Sequence, residues 1–295
     1  MRSSTEAGTW LRAVRVHQWS KNALIVVPAA AAHLAPTTTL ALDLTSAVVS
    51  FSLLASAGYL LNDLADLEHD RAHPVKRGRP LASGRVSPLA ARAAAAACAV
   101  VSFLLATRLP VPFMGAWGTY VVLSAAYSFA LKRVVMLDVV VLAALYAVRV
   151  VAGAAAVEVP LSRWFLAFSV FLFASLALLK RMAETRGAAE REVAHLSGRG
   201  WIVSDEAVLL AFGAAASVAA ALVYCLYITG EDVLRLYQRP DMLWLGLPVL
   251  LYWLGRIWLL AARGEVHEDP LLFALRDRVS WLVLGLVLGV VWAAS

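Results

Sequence analysis

Nine long apolar stretches run through this chain of 295 residues, and they restrict its fold more than any other feature. An α-helix needs about 20 consecutive apolar residues to cross a bilayer, and most of the stretches approach that length. They lie near residues 22–36, 46–62, 88–108, 112–130, 135–154, 161–180, 206–228, 242–262 and 276–294. The sequence therefore predicts an all-α, polytopic membrane protein, a single domain over residues 1–295 with about nine transmembrane helices.

The composition agrees with this interpretation and excludes other classes. Hydrophobic residues make up 61% of the chain and charged residues 16%, whereas a soluble domain has roughly a half and a quarter. Cys98 and Cys225 both lie inside apolar stretches, so we expect neither a disulfide framework nor a cysteine-based metal site. Residues 1–20 lack the apolar core of a signal peptide. The net charge is +6, but basic residues in a membrane chain mark cytoplasmic loops, so no nucleic-acid partner is expected.

Most Lys and Arg residues fall on alternate connections between the apolar stretches. The N-terminal segment is rich in them, and so are the connections near 63–87, 131–134, 181–205 and 263–278. The positive-inside rule assigns such segments to the cytoplasm. We therefore expect a multi-pass protein of the cell membrane with a cytoplasmic N-terminus. Its two long polar loops, about 63–87 and 181–205, would lie on the cytoplasmic side and carry the active site.

The strongest chemical signal is the run from Asn62 to Asp70, at the end of the second apolar stretch. If the helix continues, Asp63, Asp66 and Asp70 share one face, with Asn62 one turn before Asp66. Mg²⁺ prefers oxygen ligands and typically bridges one or two carboxylates to substrate phosphates. We predict that Asn62, Asp63, Asp66 and Asp70 hold Mg²⁺ as a cofactor. The alternative is a solvated acidic helix end.

A basic loop with Pro and Gly residues follows directly. Its Lys76, Arg77 and Arg79 can contact phosphate oxygens as point charges or as bidentate forks. Taken alone, such a loop would be a determinant of membrane topology. Next to the acidic run, it is typical of a metal–diphosphate site.

Further polar residues lie at the edges of the apolar stretches or inside them. Lys21 and Asn22 open the first stretch and are candidates for phosphate contacts, with a lysine that snorkels to the membrane surface as the alternative. Arg149 lies near the middle of the fifth stretch, where a charge is costly unless it faces a polar cavity and a partner. We expect that partner to be Asp138 or an anionic substrate.

The sixth stretch ends in Lys180-Arg181-Met182-Ala183-Glu184, where Lys180 and Glu184 share a helical face. A salt-bridged helix end is the alternative to a functional role. The chain carries no nucleophilic Ser or Cys motif, zinc-type spacing, P-loop or dinucleotide fingerprint. The candidate chemistry is therefore metal-assisted binding of phosphate groups.

These motifs resemble those of the UbiA superfamily of intramembrane prenyltransferases, and the resemblance covers essentially the whole chain. The run from Asn62 to Asp70 is similar to the family's first aspartate-rich motif, and Tyr127-x-x-x-x-Lys132 with Asp138 is similar to its middle motif. The resemblance implies a UbiA-like helical bundle with a polar cap on the cytoplasmic side.

The second aspartate-rich motif is where the chain departs from the family. Typical members carry D-x-x-x-D after the sixth span, whereas this chain has Lys180-Arg181-x-x-Glu184. Together with its other motifs, this departure resembles the branch of decaprenyl-phosphate phosphoribosyltransferases. That branch implies transfer of 5-phosphoribosyl from phosphoribosyl pyrophosphate to a polyprenyl phosphate, with release of pyrophosphate, for cell-wall arabinan (arabinogalactan) precursors. Both of these substrates carry phosphate groups, so additional cationic side chains would favour their binding.

The resemblance also implies roles for individual residues. The catalytic set is Asp63, Asp66, Asp70, Lys180 and Glu184, with the metal on the aspartates stabilising the departing pyrophosphate. The remaining positions would bind substrate, and they are Lys21, Asn22, Lys76, Arg77, Arg79, Tyr127, Lys132, Asp138, Arg149 and Arg181.

Two alternatives stay open. A UbiA-type prenyltransferase acting on an aromatic or lipid acceptor would need Glu184 with Glu190 or Glu192 to hold a metal. A transporter would also explain charges inside the membrane, but transporters place their sites at the midplane. The sequence does not give the isoprenoid chain length, and faces rich in Ala and Gly, such as 93–97 and 213–216, allow an oligomer.

Overall fold

The computed structural model describes residues 6–72, 76–190, 196, 198–266 and 269–295, and these residues form helices and no strand. The all-α prediction is confirmed. Among these described residues, six helical segments are long and apolar enough to cross a membrane, so the count of nine spans is not confirmed. The six are Thr38–Ala65, Pro88–Ala106, Leu137–Ala156, Arg163–Ala189, Val203–Ile228 and Pro240–Ala262. His73 and Glu192, both in the predicted polar loops, lie outside the described residues.

The first apolar stretch differs from its prediction. Instead of one spanning helix, it forms the end of the 3₁₀ segment Val16–Ile25 and the short helix Val27–Ala31. Pro28 cannot donate a backbone hydrogen bond, so it starts a new helix rather than continuing the first. His33 then adopts a left-handed conformation with φ of 52°, which ends the helical run.

The chain divides into two compact units. The first comprises Met1–Ser128 and Val148–Pro160. Its helices are α1 (Glu6–Ala13), α2 (Val27–Ala31), α3 (Thr38–Ala65), α4 (Leu67–Ala72), α5 (Pro88–Ala106), α6 (Val111–Phe129) and the C-terminal part of α7 (Leu137–Ala156). The main packing is of α3 on α5. The Ser50 hydroxyl donates to the Ser102 carbonyl at 2.9 Å and the Ser102 hydroxyl to the Ser50 carbonyl at 2.8 Å. Small residues with such bonds are how helices associate in lipid.

The second unit comprises Phe129–Ala147 and Leu161–Ser295. It holds the N-terminal part of α7 and the helices α8 (Arg163–Ala189), α9 (Glu206–Ile228), α10 (Glu231–Leu236), α11 (Gly246–Ala262), α12 (Pro270–Arg276) and α13 (Arg278–Ala294). Here α8 packs on α9. The Ser175 and Ser217 hydroxyls lie 2.7 Å apart, and Trp258 Nε1 donates to Ser175 Oγ at 2.9 Å. Each unit thus joins its main helix pair through buried serines.

Both predicted polar loops begin as helix. Helix α8 continues through Ala189, well past the predicted end at 180, because no proline interrupts it and its last turns bury Arg181 and Thr185. Residues 63–72 are likewise helical, apart from Asp66, which ends α3. The charged motifs are therefore held on helix ends, where their side chains have fixed directions.

Candidate active site

The acidic run brings two of its three aspartates together. Asp66 is the C-cap of α3, with φ of −93° and ψ of 8°, and α4 begins at the next residue. This break in the helix leaves Asp66 exposed while Asp63 and Asp70 are buried. Asn62 donates from Nδ2 to Ser128 Oγ at 3.0 Å. The run is not one acidic face but a buried pair of carboxylates beside an exposed third.

Arg79 from the basic loop joins the buried pair. Its Nη1 lies 3.2 Å from Asp63 Oδ1 and 2.5 Å from Asp70 Oδ2. Arg15 Nη2 approaches Asp63 Oδ1 at 2.6 Å, and Lys76 Nζ lies 4.0 Å from Asp70 Oδ1. Arg77 is exposed. Three cations therefore surround two carboxylates that are themselves almost inaccessible to solvent.

The positions of the Asp63 and Asp70 carboxylates indicate whether a divalent cation could bind to them. Among the described residues, no group of three or more His, Cys, Asp or Glu side chains is close enough to hold a metal. However, Asp63 and Asp70 both direct an oxygen at the single Nη1 atom of Arg79, so the two carboxylates converge on one cationic point. Mg²⁺ commonly uses one or two carboxylates and completes its shell with water and phosphate oxygens. The residues fit that mode of binding.

Arg149 lies in a polar cluster in the first unit. Its Nε donates to Asn22 Oδ1 at 2.9 Å and its Nη2 to the Tyr120 hydroxyl at 3.0 Å, while its guanidinium carbon lies 4.8 Å from the centre of the Tyr120 ring. Asn22 also donates to Ser52 Oγ at 2.9 Å. Asp138, one of the two partners expected for Arg149, pairs with Arg181.

Gly153 lets this cluster form. Helix α7 passes so close to the 3₁₀ segment Val16–Ile25 that a Cβ at position 153 would lie 2.0 Å from the Ile25 carbonyl oxygen. The same segment carries Lys21 and Asn22, which are both buried rather than exposed at a membrane edge. Tyr127 is half-buried on α6. Lys21, Asn22 and Arg149 are thus buried residues that belong to the first unit.

The second unit holds its own buried ion pair. Arg181 and Asp138 have no exposed side-chain surface, and Arg181 Nε lies 2.8 Å from Asp138 Oδ2. Trp201 Nε1 donates to both oxygens of Asp138 at 3.0 Å. Trp201 is only 1% exposed. Its burial and its hydrogen bond to Asp138 together anchor the segment that precedes α9. Arg181 is fully enclosed by protein groups.

Glu184 is held by two arginines. Its carboxylate accepts a hydrogen bond from Arg181 Nη1, and Arg199 Nε lies 3.0 Å from Glu184 Oε2. One turn away, Lys180 Nζ lies 3.2 Å from Asp269 Oδ2, which also accepts from the Tyr146 hydroxyl at 3.4 Å. The three charged residues of the KRxxE motif, near the C-terminal end of α8, therefore all form ion pairs.

Several members of these clusters were not among the predicted site residues. Arg15, Tyr120, Arg199, Trp201 and Asp269 all contact a predicted residue. The sequence held a partial signal for three of them, since Arg15 precedes the first stretch and Arg199 and Trp201 fall in the predicted polar loop 181–205. Asp269 caps α12 by accepting from the Leu271 amide, and it pairs with Lys180.

The apolar helices define a multi-pass membrane protein, and charged clusters lie at the ends of α3 and α8. The chain belongs to the UbiA prenyltransferase family, whose model matches residues 23–282, and it is therefore a transferase. The resemblance found in the motifs is confirmed at the level of the family.

Curated relatives and a solved structure agree with this assignment. The chain is 39% identical over 94% of its length to the uncharacterized protein y4nM of Sinorhizobium fredii, but it spans only 54% of that relative. It is 34% identical to the nodulation protein NoeC of Azorhizobium caulinodans and 32% identical to the decaprenyl-phosphate phosphoribosyltransferase of Mycolicibacterium smegmatis. Each alignment covers 96% of this chain, and 92% and 91% of the respective relatives. A UbiA homolog from Archaeoglobus fulgidus, solved with GPP and Mg²⁺, has the same fold, with a TM-score of 0.69, 16% identity, and coverage of 96% of this chain and 99% of that one.

Proposed function

We propose that the protein transfers 5-phosphoribosyl from phosphoribosyl pyrophosphate to a polyprenyl phosphate. The bond between ribose C1 and the pyrophosphate oxygen breaks, and pyrophosphate leaves with the electron pair. A new bond forms between C1 and an oxygen of the lipid phosphate. That oxygen is already anionic, so the reaction needs no strong general base. The observation that carries the proposal is the ion-paired KRxxE motif, in a chain that aligns along 91% of a relative named for this activity.

The buried carboxylates of the first unit would serve the leaving group. Asp63 and Asp70 are the groups that would hold Mg²⁺, with the exposed Asp66 beside them. The bound metal supplies charge neutralisation to the departing pyrophosphate. Arg79 and Lys76 lie against these carboxylates and can donate to diphosphate oxygens as the charge on them rises. Electrostatic stabilisation of this kind is often the largest single contribution to catalysis.

The residues of the second unit would act as binding and orienting groups. Glu184, held from two sides by Arg181 and Arg199, has a fixed carboxylate that suits an acceptor for ribose hydroxyls. Lys180 is partly exposed and provides a cation at the same helix end. The buried Arg181 acts by keeping Glu184 and Asp138 in position rather than by touching a phosphate.

The setting of the reaction is part of the proposal. The positive-inside rule places the basic loops, and with them the charged clusters, at the cytoplasmic face of the cell membrane. A water-soluble donor would reach that face from the cytoplasm, and the acceptor lipid would reach it from the bilayer. The product would serve synthesis of cell-wall arabinan precursors.

A UbiA-type prenyl transfer is the second candidate. The observation in its favour is the common fold with the Archaeoglobus fulgidus homolog, which was solved with GPP and Mg²⁺. In that case a prenyl diphosphate would be the donor and an aromatic or lipid molecule the acceptor. The first unit would keep its role at the diphosphate, while Glu184 would have no ribose to bind.

A product assay with the purified protein in detergent and Mg²⁺ separates the two reactions. Ribose-labelled phosphoribosyl pyrophosphate with a polyprenyl phosphate should move label into the organic phase, whereas labelled prenyl diphosphate with an aromatic acceptor should give no product. The reverse result would establish prenyl transfer and refute the proposal. Asp63→Asn should abolish product without loss of membrane insertion. Asp66→Ala, at the exposed position, tests whether the third carboxylate is also required.

A further inference from the structure

The 3₁₀ segment Val16–Ile25 packs on α3 and is joined to it by polar side chains. Asn22 Nδ2 donates to Ser52 Oγ at 2.9 Å, and Trp19 Nε1 donates to Ser56 Oγ at 3.0 Å. Ser52 and Ser56 are one turn apart, so they lie on the same face of α3. Both serines are buried. The segment therefore runs antiparallel to α3 and is docked on a row of buried hydroxyl groups.

This row continues to the candidate active site. Tyr59 and Asp63 lie about one and two turns beyond Ser56 on the same face of α3. Arg15 contacts both of them. Its guanidinium carbon lies 4.6 Å from the centre of the Tyr59 ring, and its Nη2 lies 2.6 Å from Asp63 Oδ1. Arg15 is thus the residue through which the docked N-terminal segment reaches a carboxylate proposed to hold Mg²⁺.

The backbone of Arg15 is held in an unusual conformation. Its φ of 53° and ψ of 49° are left-handed, a region that residues other than glycine enter rarely and at an energetic cost. The Ser56 hydroxyl donates to the carbonyl of Val14, directly before Arg15, at 2.8 Å, and it also accepts from the Trp19 indole. These bonds fix the chain on both sides of Arg15. Strain that the surrounding contacts maintain is common at functional sites.

Arg15 and Arg79 hold Asp63 in different ways. Arg79 Nη1 lies where the Asp63 and Asp70 carboxylates converge, so a bound metal would compete with it for the same oxygens. Among the acidic residues that the structure describes, Arg15 pairs with Asp63. Arg15 can therefore keep its contact with Asp63 while a metal replaces Arg79. Hydrogen bonds of this kind orient carboxylate ligands, and their removal typically lowers metal affinity about 10–100-fold.

From these contacts we propose that Arg15 is a positioning residue of the candidate active site: it holds the Asp63 carboxylate for Mg²⁺, and Ser56 holds Arg15 in place. The inference rests on the metal-binding role that the proposed function gives to Asp63. It applies to both candidate reactions, because each releases pyrophosphate that the metal would stabilise. The docked segment is then part of the active site as well as a support for α3.

The test measures the binding of pyrophosphate to the full-length protein in detergent as a function of the Mg²⁺ concentration. Arg15→Lys keeps the charge but loses the planar fork, so it should raise the Mg²⁺ concentration for half-maximal binding about tenfold. Ser56→Ala leaves every charge unchanged and should also raise this concentration. The double variant should be no worse than Arg15→Lys alone, because Ser56 acts through Arg15. At saturating Mg²⁺, each variant should bind pyrophosphate nearly as tightly as the wild type.

Two control variants separate this role from a loss of stability. Ser50→Ala removes another buried hydroxyl of α3, which bonds to Ser102. It should lower the melting temperature as Ser56→Ala does, but it should leave the Mg²⁺ requirement unchanged. Arg12→Lys changes an exposed arginine of α1 and should alter neither quantity. If Ser56→Ala does not fold, Trp19→Phe takes its place, since it removes the indole donor to Ser56.

Three results would overturn the inference. The first is an unchanged Mg²⁺ requirement in both Arg15→Lys and Ser56→Ala, and the second is an equal increase in Ser50→Ala and Ser56→Ala. The third is a loss of affinity that persists at saturating Mg²⁺, which would mean that Arg15 contacts the diphosphate itself. If the wild type binds pyrophosphate in an Mg²⁺-dependent manner, these results refute only the positioning role of Arg15. If its binding of pyrophosphate does not depend on Mg²⁺, the metal role in the proposed function fails.

Discussion

Removal of the Asp138 carboxylate should destabilise the protein more than any surface change, because two buried side chains of the second unit, Arg181 and Trp201, depend on it. Asp138 and Arg181 are both fully buried and 2.8 Å apart, and Trp201 Nε1 donates to both carboxylate oxygens at 3.0 Å. Breaking a buried ion pair by removing one partner costs about 3–5 kcal/mol. Glu184 still offsets part of the Arg181 charge, so the lower value of about 3 kcal/mol is appropriate here.

The two substitutions Asp138→Asn and Asp138→Ala separate the charge from the hydrogen bond. Asn keeps an oxygen for the Trp201 indole and loses only the charge, so it should cost about 3 kcal/mol. Ala also leaves the buried indole N–H without its acceptor, which adds about 1–2 kcal/mol. The variant Trp201→Phe removes that N–H, so Asp138→Ala should cost about 1–2 kcal/mol less in the Trp201→Phe background.

The assay is a denaturant titration in detergent micelles, which gives the free energy of unfolding of each variant and of the double mutant. Asp241→Asn changes an exposed carboxylate and serves as the control, with an expected effect within about 0.5 kcal/mol. Equal costs for Asp138→Asn and Asp138→Ala would refute the role of the indole hydrogen bond. A cost below about 1 kcal/mol for both would refute the buried ion pair itself.

Three further predictions concern other parts of the chain. Arg79→Gln should lower the melting temperature in the absence of metal, because Asp63 and Asp70 lose the cation that joins them. In a thermal-shift assay, Mg²⁺ should raise the melting temperature of this variant more than that of the wild type. Gly153→Ala should cost about 1–3 kcal/mol through its clash with the Ile25 carbonyl, whereas Gly118→Ala, with open space around it, should be neutral or slightly stabilising. Burial raises the pKa of Asp277, but hydrogen bonds from Arg256 and Ser280 outweigh it, so the pKa lies below its usual value. Asp277→Asn should therefore destabilise the protein above about pH 4. The difference in stability between the variant and the wild type should shrink as the pH falls through the folded-state pKa. No shrinkage in a pH series of melting curves would contradict that last assignment.

The sequence predicted the fold class because a helix that crosses a bilayer needs about 20 consecutive apolar residues, and such stretches can be read directly from the sequence. The charged residues of the two motifs do form ion pairs, as in Arg79–Asp70 and Arg181–Glu184. The prediction of one acidic helix face was wrong because the helix is interrupted. Asp66 interrupts the helix between α3 and α4, so an i, i+3, i+7 pattern that implied one shared face left the middle aspartate exposed.

Partners across long stretches of chain could not be predicted from spacing. Trp201 is 63 residues from Asp138 and Arg149 is 127 residues from Asn22, and no local periodicity links either pair. The cost of burying a charge implied that Arg149 needs polar partners, and this was correct. That cost does not say which partners are used, and two of the groups that Arg149 contacts are the neutral side chains of Asn22 and Tyr120.

An arginine that joins two carboxylates occurs in both units, and its burial determines what it can do. Arg79 joins Asp63 and Asp70 with 31% of its side chain exposed, whereas Arg181 joins Asp138 and Glu184 with none exposed. Solvent or a ligand can replace the contacts of an exposed guanidinium at little cost, while moving a buried one leaves uncompensated charges in a low-dielectric interior. We therefore expect a ligand or metal to displace the contacts of Arg79 more readily than those of Arg181. The difference follows from the exposure of the arginine, since both arginines join two carboxylates.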